Sequence, residues 1–184
     1  MPSLRSCALV AILALSLSVG PAPTGEKKSP GPPLVTRGRV QLNLAGAEAI
    51  LAGAKQKAES MKLKVNVAVV DDGGHLLSFA RMDGARPASV YTAITKAVTA
   101  ATFRQETGPL PPRGEPDLLL NLSLQNAAAA GGGKLTTLKG GVPVVIDGQV
   151  VGGVGVGGGS GEQDAEVARA GIQKLLDALG AQKK

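Results

Sequence analysis

His75 is the chain's only histidine, and it follows directly on Asp71, Asp72, Gly73 and Gly74. A single imidazole rules out metal centres built from several, and it leaves one nitrogen ligand that could act with carboxylates or meet a heme iron alone. Asp71, Asp72 and Asp83 could gather round this turn, either to hold a hard cation together with His75 or to pair with Arg81 or Arg86. Turn chemistry explains Asp71 and Asp72 equally well, since Asp before Gly-Gly supports a tight turn with its own side chain. A second group is Lys96 and Thr99, one helical turn apart and able to reach a common ligand if their face borders a cleft, or simply solvated if it does not. Nothing in the chain pairs a convincing nucleophile with a base, and few titratable groups fall at core positions, so acid–base catalysis is disfavoured and binding is the better reading.

Gly153 to Gly158 reads G-V-G-V-G-G and fits the phosphate-cradling G-x-G-x-x-G pattern after a strand. A dinucleotide fold, however, needs a parallel strand–helix–strand unit with an acidic residue about 20 positions on. Here the strand is the second arm of a hairpin and one helix follows it. The glycines are better explained by close packing of the strand against a helix, a ligand or a neighbouring subunit.

The elements that must position these residues follow from the hydrophobic spacing. Leu44, Ala47, Ile50, Leu51, Ala54 and Ala58 form the apolar stripe of a first helix. Lys64 to Val70 and His75 to Arg81 form a β-hairpin across the acidic turn. Ser89 is a reasonable N-cap for a second helix reaching Phe103, with Val90, Ile94, Ala97, Val98 and Ala101 on its stripe. After Pro109, Pro111 and Pro112, a shorter helix is predicted from Pro116 to Ala130, stopped by Gly131 to Gly133. Val142 to Ile146 and Gln149 to Val156 flank Asp147-Gly148, a strong short hairpin signal. Ser160 and Gln163 have capping-box spacing for a last helix, with Ala165, Ala168, Ile172, Leu175, Leu176 and Leu179 on one face and Gly180 closing it. Two hairpins alternating with helices predict an α+β domain with an antiparallel sheet covered by helices.

The 184 residues suit one domain. Arg5 precedes an apolar run from Ala8 to Val19, which reads as a signal peptide over residues 1–22 and is too short for a stable membrane span. Cys7 lies before that run, so the mature chain would carry neither disulfide nor thiolate. Residues 23–41, rich in Pro and Gly, read as a disordered linker ahead of a domain at 42–180. The location expected is periplasmic or secreted. With a net charge of +6 scattered along the chain and aromatics at 2%, nucleic-acid binding is a weak reading.

Three ordered blocks carry a family resemblance: VAVVDDGGHLLSFARMDGA from 67, TKAVTAATF from 95, and LKGGVPVVIDGQVVGGVGVGGG from 138, followed by EQDAEVARAG. Together they resemble the GlcG/HbpS family, which is also similar to the C-terminal domain of PduO-type proteins. The resemblance implies a profilin-like central antiparallel sheet flanked by helices, a homo-oligomer, and heme as cofactor. Position by position it makes His75, Arg81, Lys96, Thr99, Gly140 and Gly141 the pocket residues, with His75 or Thr99 nearest the iron and Lys96 or Arg81 pairing with a propionate. Val98 stands where many members carry a basic or aromatic residue, and the stretch from Gly108 to Gly133 is unusually rich in Pro, Leu and Ala. The function implied is an exported heme-binding protein for storage, sensing or degradation. The alternative is an accessory protein or small enzyme that binds a short hydroxy-acid or related small carboxylate ligand, anchored by Lys96 and Arg81.

Overall fold

A computed structural model describes residues 38–182. Asn43 starts the first helix, α1 (Leu44–Ser60), by accepting the Gly46 N–H on its side chain at 2.8 Å, which satisfies one of the unpaired amides of the first turn. Next come β1 (Asn66–Asp71) and β2 (Leu76–Arg81), then α2 (Ser89–Phe103) and α3 (Leu118–Ala130). A second hairpin, β3 (Gly141–Ile146) and β4 (Gln149–Gly157), leads into α4 (Gly161–Gln182). The four strands form one antiparallel sheet in the order β2-β1-β4-β3. The central pair, β1 and β4, joins the two hairpins, running from Asn66 opposite Gly157 at one end to Asp71 opposite Gly152 at the other. The expected α+β class, with helices on both faces of an antiparallel sheet, is what the chain adopts.

Alternation along β1 builds two cores. Val67 and Val69 point to the α1/α4 face and join Ile50, Val154, Val156, Val167 and Ile172, whereas Ala68 and Val70 meet Ala93, Ala97, Val98 and Ala101 of α2. Each fully buried valine contributes about 1.5–3 kcal/mol relative to exposure. On the α2 face, β4 presents Gly153, Gly155 and Gly157 instead of side chains. A methyl group at Gly155 would run into Ala93 O and the Ala97 backbone, and one at Gly153 into Ala97 O. The glycine pattern therefore serves helix-to-strand contact, and α2 lies on the backbone of β4.

Turn chemistry follows the sequence. Asp147 and Gly148 both hold positive φ, 48° and 73°, as a two-residue hairpin requires. At the start of α4, Ser160 Oγ accepts the Gln163 N–H while Gln163 Oε1 accepts the Ser160 N–H, completing the capping box.

Several expectations need correcting. Ser89 is not an N-cap: Ala88 takes that position with helical dihedrals, and the Ser89 hydroxyl instead accepts from Arg86 Nε at 2.9 Å. Leu44 is exposed, because it opens α1 before the stripe turns inward. The third helix begins at Leu118, since Asp117 caps it by accepting the Leu120 N–H, and only Ala128 of that helix is buried. Gly180 does not close α4, which continues to Gln182. The strands of the first hairpin begin at Asn66 and Leu76, because Lys64 precedes the ladder and His75 belongs to the turn. The signal peptide and residues 23–37 of the expected linker lie outside the described residues. Of the remainder, Val40 already packs against the core.

Candidate functional site

The first hairpin's turn is organised by Asp71. One carboxylate oxygen accepts the Gly73 and His75 backbone N–H groups at 2.9 and 2.8 Å, and the other lies 3.2 Å from His75 Nδ1. Desolvation pushes the Asp71 carboxyl upward, but the hydrogen bonds from His75 and Gly73 outweigh it and hold the group below its usual value. An ionised carboxylate can only accept, so Nδ1 donates to it, and in the neutral ring this puts the lone pair on Nε2. The His75 side chain is 82% exposed. Its ring stands against Gly73, and Gly73 in turn helps line a pocket of about 390 Å³ together with Val98, Thr102, Phe103, Ala128 and Lys134, among others. This wall is mostly apolar, with Lys134 its only charged group among the described residues.

Asp72 pairs with Arg39 rather than with His75. Among the described residues, no three His, Cys, Asp or Glu side chains come close enough together to hold a metal ion. Asp71 thus orients His75 from behind, and His75, Asp71 and Asp72 do not form a three-ligand cation cage.

Lys96 and Thr99 lie elsewhere, and neither is on a solvated face. Lys96 is buried: its ammonium donates to Val156 O and to Asp164 Oδ2, both at 2.8 Å, and the Asp164 side chain is 2% exposed. Asp164 also accepts the Gly159 N–H at 2.9 Å, so the pair ties α2, the end of β4 and the start of α4 together. Thr99 donates to Thr95 O and accepts the Thr136 N–H at 2.9 Å, which anchors the segment before β3 and occupies the hydroxyl. Gly140 makes room for the ion pair, since a Cβ there would meet Asp164 Cβ and Lys96 Nζ at 2.6 and 2.9 Å. Gly141 donates to Thr107 Oγ1 at 2.8 Å and presses on the Lys96 backbone.

Arg81 sits opposite Asn66 in the ladder, at the end of the sheet remote from the His75 turn, and is exposed. At that same end lies a cleft of about 670 Å³ whose wall includes Arg86, Ser89, Lys96, Lys139, Glu162 and Asp164. The six pocket candidates therefore do not converge. His75 stands at the first hairpin's turn, Lys96 with Gly140 and Gly141 lies at the opposite cleft, Thr99 bonds the segment before β3 to α2, and Arg81 lines neither pocket. Asp164 went unseen because an acidic residue in a helix's first turn is explained by the helix dipole alone. Lys134 falls in no patterned position, and the sequence offers Arg86 only as a partner for the acidic turn, whereas the structure places it on the cleft wall.

A family model described as haem degrading protein HbpS-like matches residues 42–173, which span both hairpins, α2 and most of α4. The chain belongs to the HbpS-like family. Protein GlcG of Escherichia coli is similar to this HbpS-like chain, 43% identical over 118 residues, which cover 64% of the chain and 82% of GlcG. Among solved structures, Klebsiella pneumoniae protein ORFY matches with a TM-score of 0.64 and 31% identity, covering 78% of this chain and 98% of that one. A PduOC:heme complex matches with a TM-score of 0.60 and 27% identity, covering 73% of this chain and 95% of that one. The HbpS-like fold is thus shared with a protein solved in complex with heme.

Proposed function

We propose that this is an exported heme-binding protein, with His75 as the residue that approaches the iron. The observation that carries the reading is the Asp71–His75 pair, which engages the ring by Nδ1 and leaves Nε2 without a hydrogen-bond partner among the described residues, next to Gly73 of an apolar pocket wall. Carboxylate-backed histidines are the usual form of an iron or zinc ligand, because the second group sets the tautomer and raises the ligand's basicity. The residues fit heme better than a bare cation. A porphyrin supplies four nitrogens itself and needs one from the protein, whereas a free ion would need several side chains that this turn does not gather. Val98, Thr102, Phe103 and Ala128 would pack against the macrocycle, and Lys134 would pair with a propionate. Bound heme would contribute the redox and ligand-binding chemistry of its iron, while the protein orients the plate and shields one face from water.

The solved PduOC:heme complex and the family's description as haem degrading support this reading. The apolar run from Ala8 to Val19 supports export, and no helix among the described residues is long and apolar enough to cross a membrane. Self-association into a homo-oligomer belongs to the same proposal and is supported by Leu118 and Leu119 of α3, which are 71% and 75% exposed. Titration of hemin into the protein, followed at the Soret band, is expected to give a saturable shift of one heme per subunit. His75→Ala should weaken it by about tenfold or more, as loss of one strong ligand bond implies, with an unchanged circular dichroism spectrum. Equal affinity in the variant would remove His75 from the site.

A further inference from the structure

The cleft at the other end of the sheet carries chemistry that the heme reading does not use. Among the described residues its wall holds five charged groups, and four are matched within it: Lys96 with Asp164, and Lys139 with Glu162 at 3.1 Å. The Lys139 hydrogen bond holds the Glu162 carboxyl below its usual value, so that pair stays ionised. Arg86 is the charge left over. Its Nε donates to Ser89 Oγ, and among the described residues it forms no ion pair, so both terminal amino groups of the guanidinium remain to be used. Two neighbours add donors. Ser89 Oγ accepts from Arg86 and keeps its own proton, and Lys96 directs two of its three N–H bonds to Val156 O and Asp164, leaving the third without a protein acceptor at the cleft wall.

We propose that this cleft binds a small organic monocarboxylate, gripped by the Arg86 guanidinium and positioned by Ser89 and Lys96. The planar guanidinium fork matches a carboxylate in a two-point grip that an ammonium cannot make. One uncompensated positive charge matches one negative charge. A dianion would leave its second charge unbalanced beside Glu162, which disfavours phosphate. Lys96 is held by Asp164 before any ligand arrives, so little ordering is required of it. The site lies at the end of the sheet away from His75, so it stands or falls independently of heme binding.

The test uses the ¹⁵N-labelled full chain, with acetate and lactate as probes and inorganic phosphate as the comparison. Saturable amide shifts in the millimolar range, centred on Arg86, Ser89 and Gly158 to Glu162, are expected with the carboxylates. Arg86→Gln, at an exposed position, should weaken binding by about tenfold, the usual worth of one charge-assisted contact, while Arg81→Gln leaves it unchanged. Absence of saturation, or equal affinity in Arg86→Gln, would overturn the site. Tighter binding of phosphate than of either carboxylate would overturn the ligand class.

Discussion

Replacing Asp164 with alanine leaves the Lys96 ammonium in a place where it is only 6% exposed, with Val156 O as its remaining acceptor and no countercharge. Breaking a buried ion pair by removing one partner costs about 3–5 kcal/mol, because the surviving charge keeps its desolvation penalty and loses the attraction that offset it. Asp164 also accepts the Gly159 N–H, whose loss adds about 1 kcal/mol. Against a total stability of about 5–15 kcal/mol, this is a large fraction. For a domain of this size each kcal/mol moves the midpoint by about 2–4 °C near 150 residues, so a fall of roughly 10 °C or more is expected. Thermal unfolding followed by far-ultraviolet circular dichroism measures it, since the chain has no tryptophan to report by fluorescence. The decisive comparison is the double variant Lys96→Met, Asp164→Leu. Removing both charges removes both desolvation penalties, so it should be much less destabilised than Asp164→Ala. If the single variant costs under about 1 kcal/mol, or the double variant is as unstable as the single, the pair is not what holds α2 to α4 and the argument fails.

Two further outcomes follow from the packing and the charges. Gly155→Ala places a methyl group into Ala93 O and Ala97 N on the facing helix. Since backbone on both sides is fixed by its own hydrogen bonding, a loss of about 3 kcal/mol or more, or failure to accumulate as soluble protein, is expected from expression and denaturant unfolding; wild-type stability would contradict the close contact. Asp71 is held below its usual value, so it binds fewer protons in the folded state than in the unfolded state around pH 4. The stability it contributes is present above the unfolded value of 3.8 and is lost as pH falls through the lower folded value. Asp71→Asn should therefore flatten the acid limb of the pH–stability profile below that value, and an unchanged acid limb would show that the turn carboxylate carries no such linkage.

Much of the fold was legible because its signals are local. Asp147-Gly148 requires positive φ whatever surrounds it, Ser160 and Gln163 satisfy each other across three residues, and the alternation in Val67 to Val70 assigns faces by strand geometry alone. The pairing of His75 with the acidic turn could also be anticipated, since Asp71 and His75 are four residues apart and belong to one turn. Lys96 could not be read this way. On a helix whose stripe is alanine and valine, a lysine off that stripe reads as solvated. The partner that makes burial tolerable, Asp164, lies 68 residues further on. Thr99 is a similar case, with its acceptor role filled by the Thr136 N–H 37 residues away. Arg81 and Arg86 share a composition and a neighbourhood in sequence, yet Arg86 lines the cleft and Arg81 does not, because the chain turns between them into α2. By itself the sequence determined the elements, their turns and the family, since propensity, capping and turn chemistry act within a few residues. Which charges are buried, which are matched and which are left over for a ligand was decided by the tertiary structure, because electrostatic free energy depends on distances that only the folded chain sets.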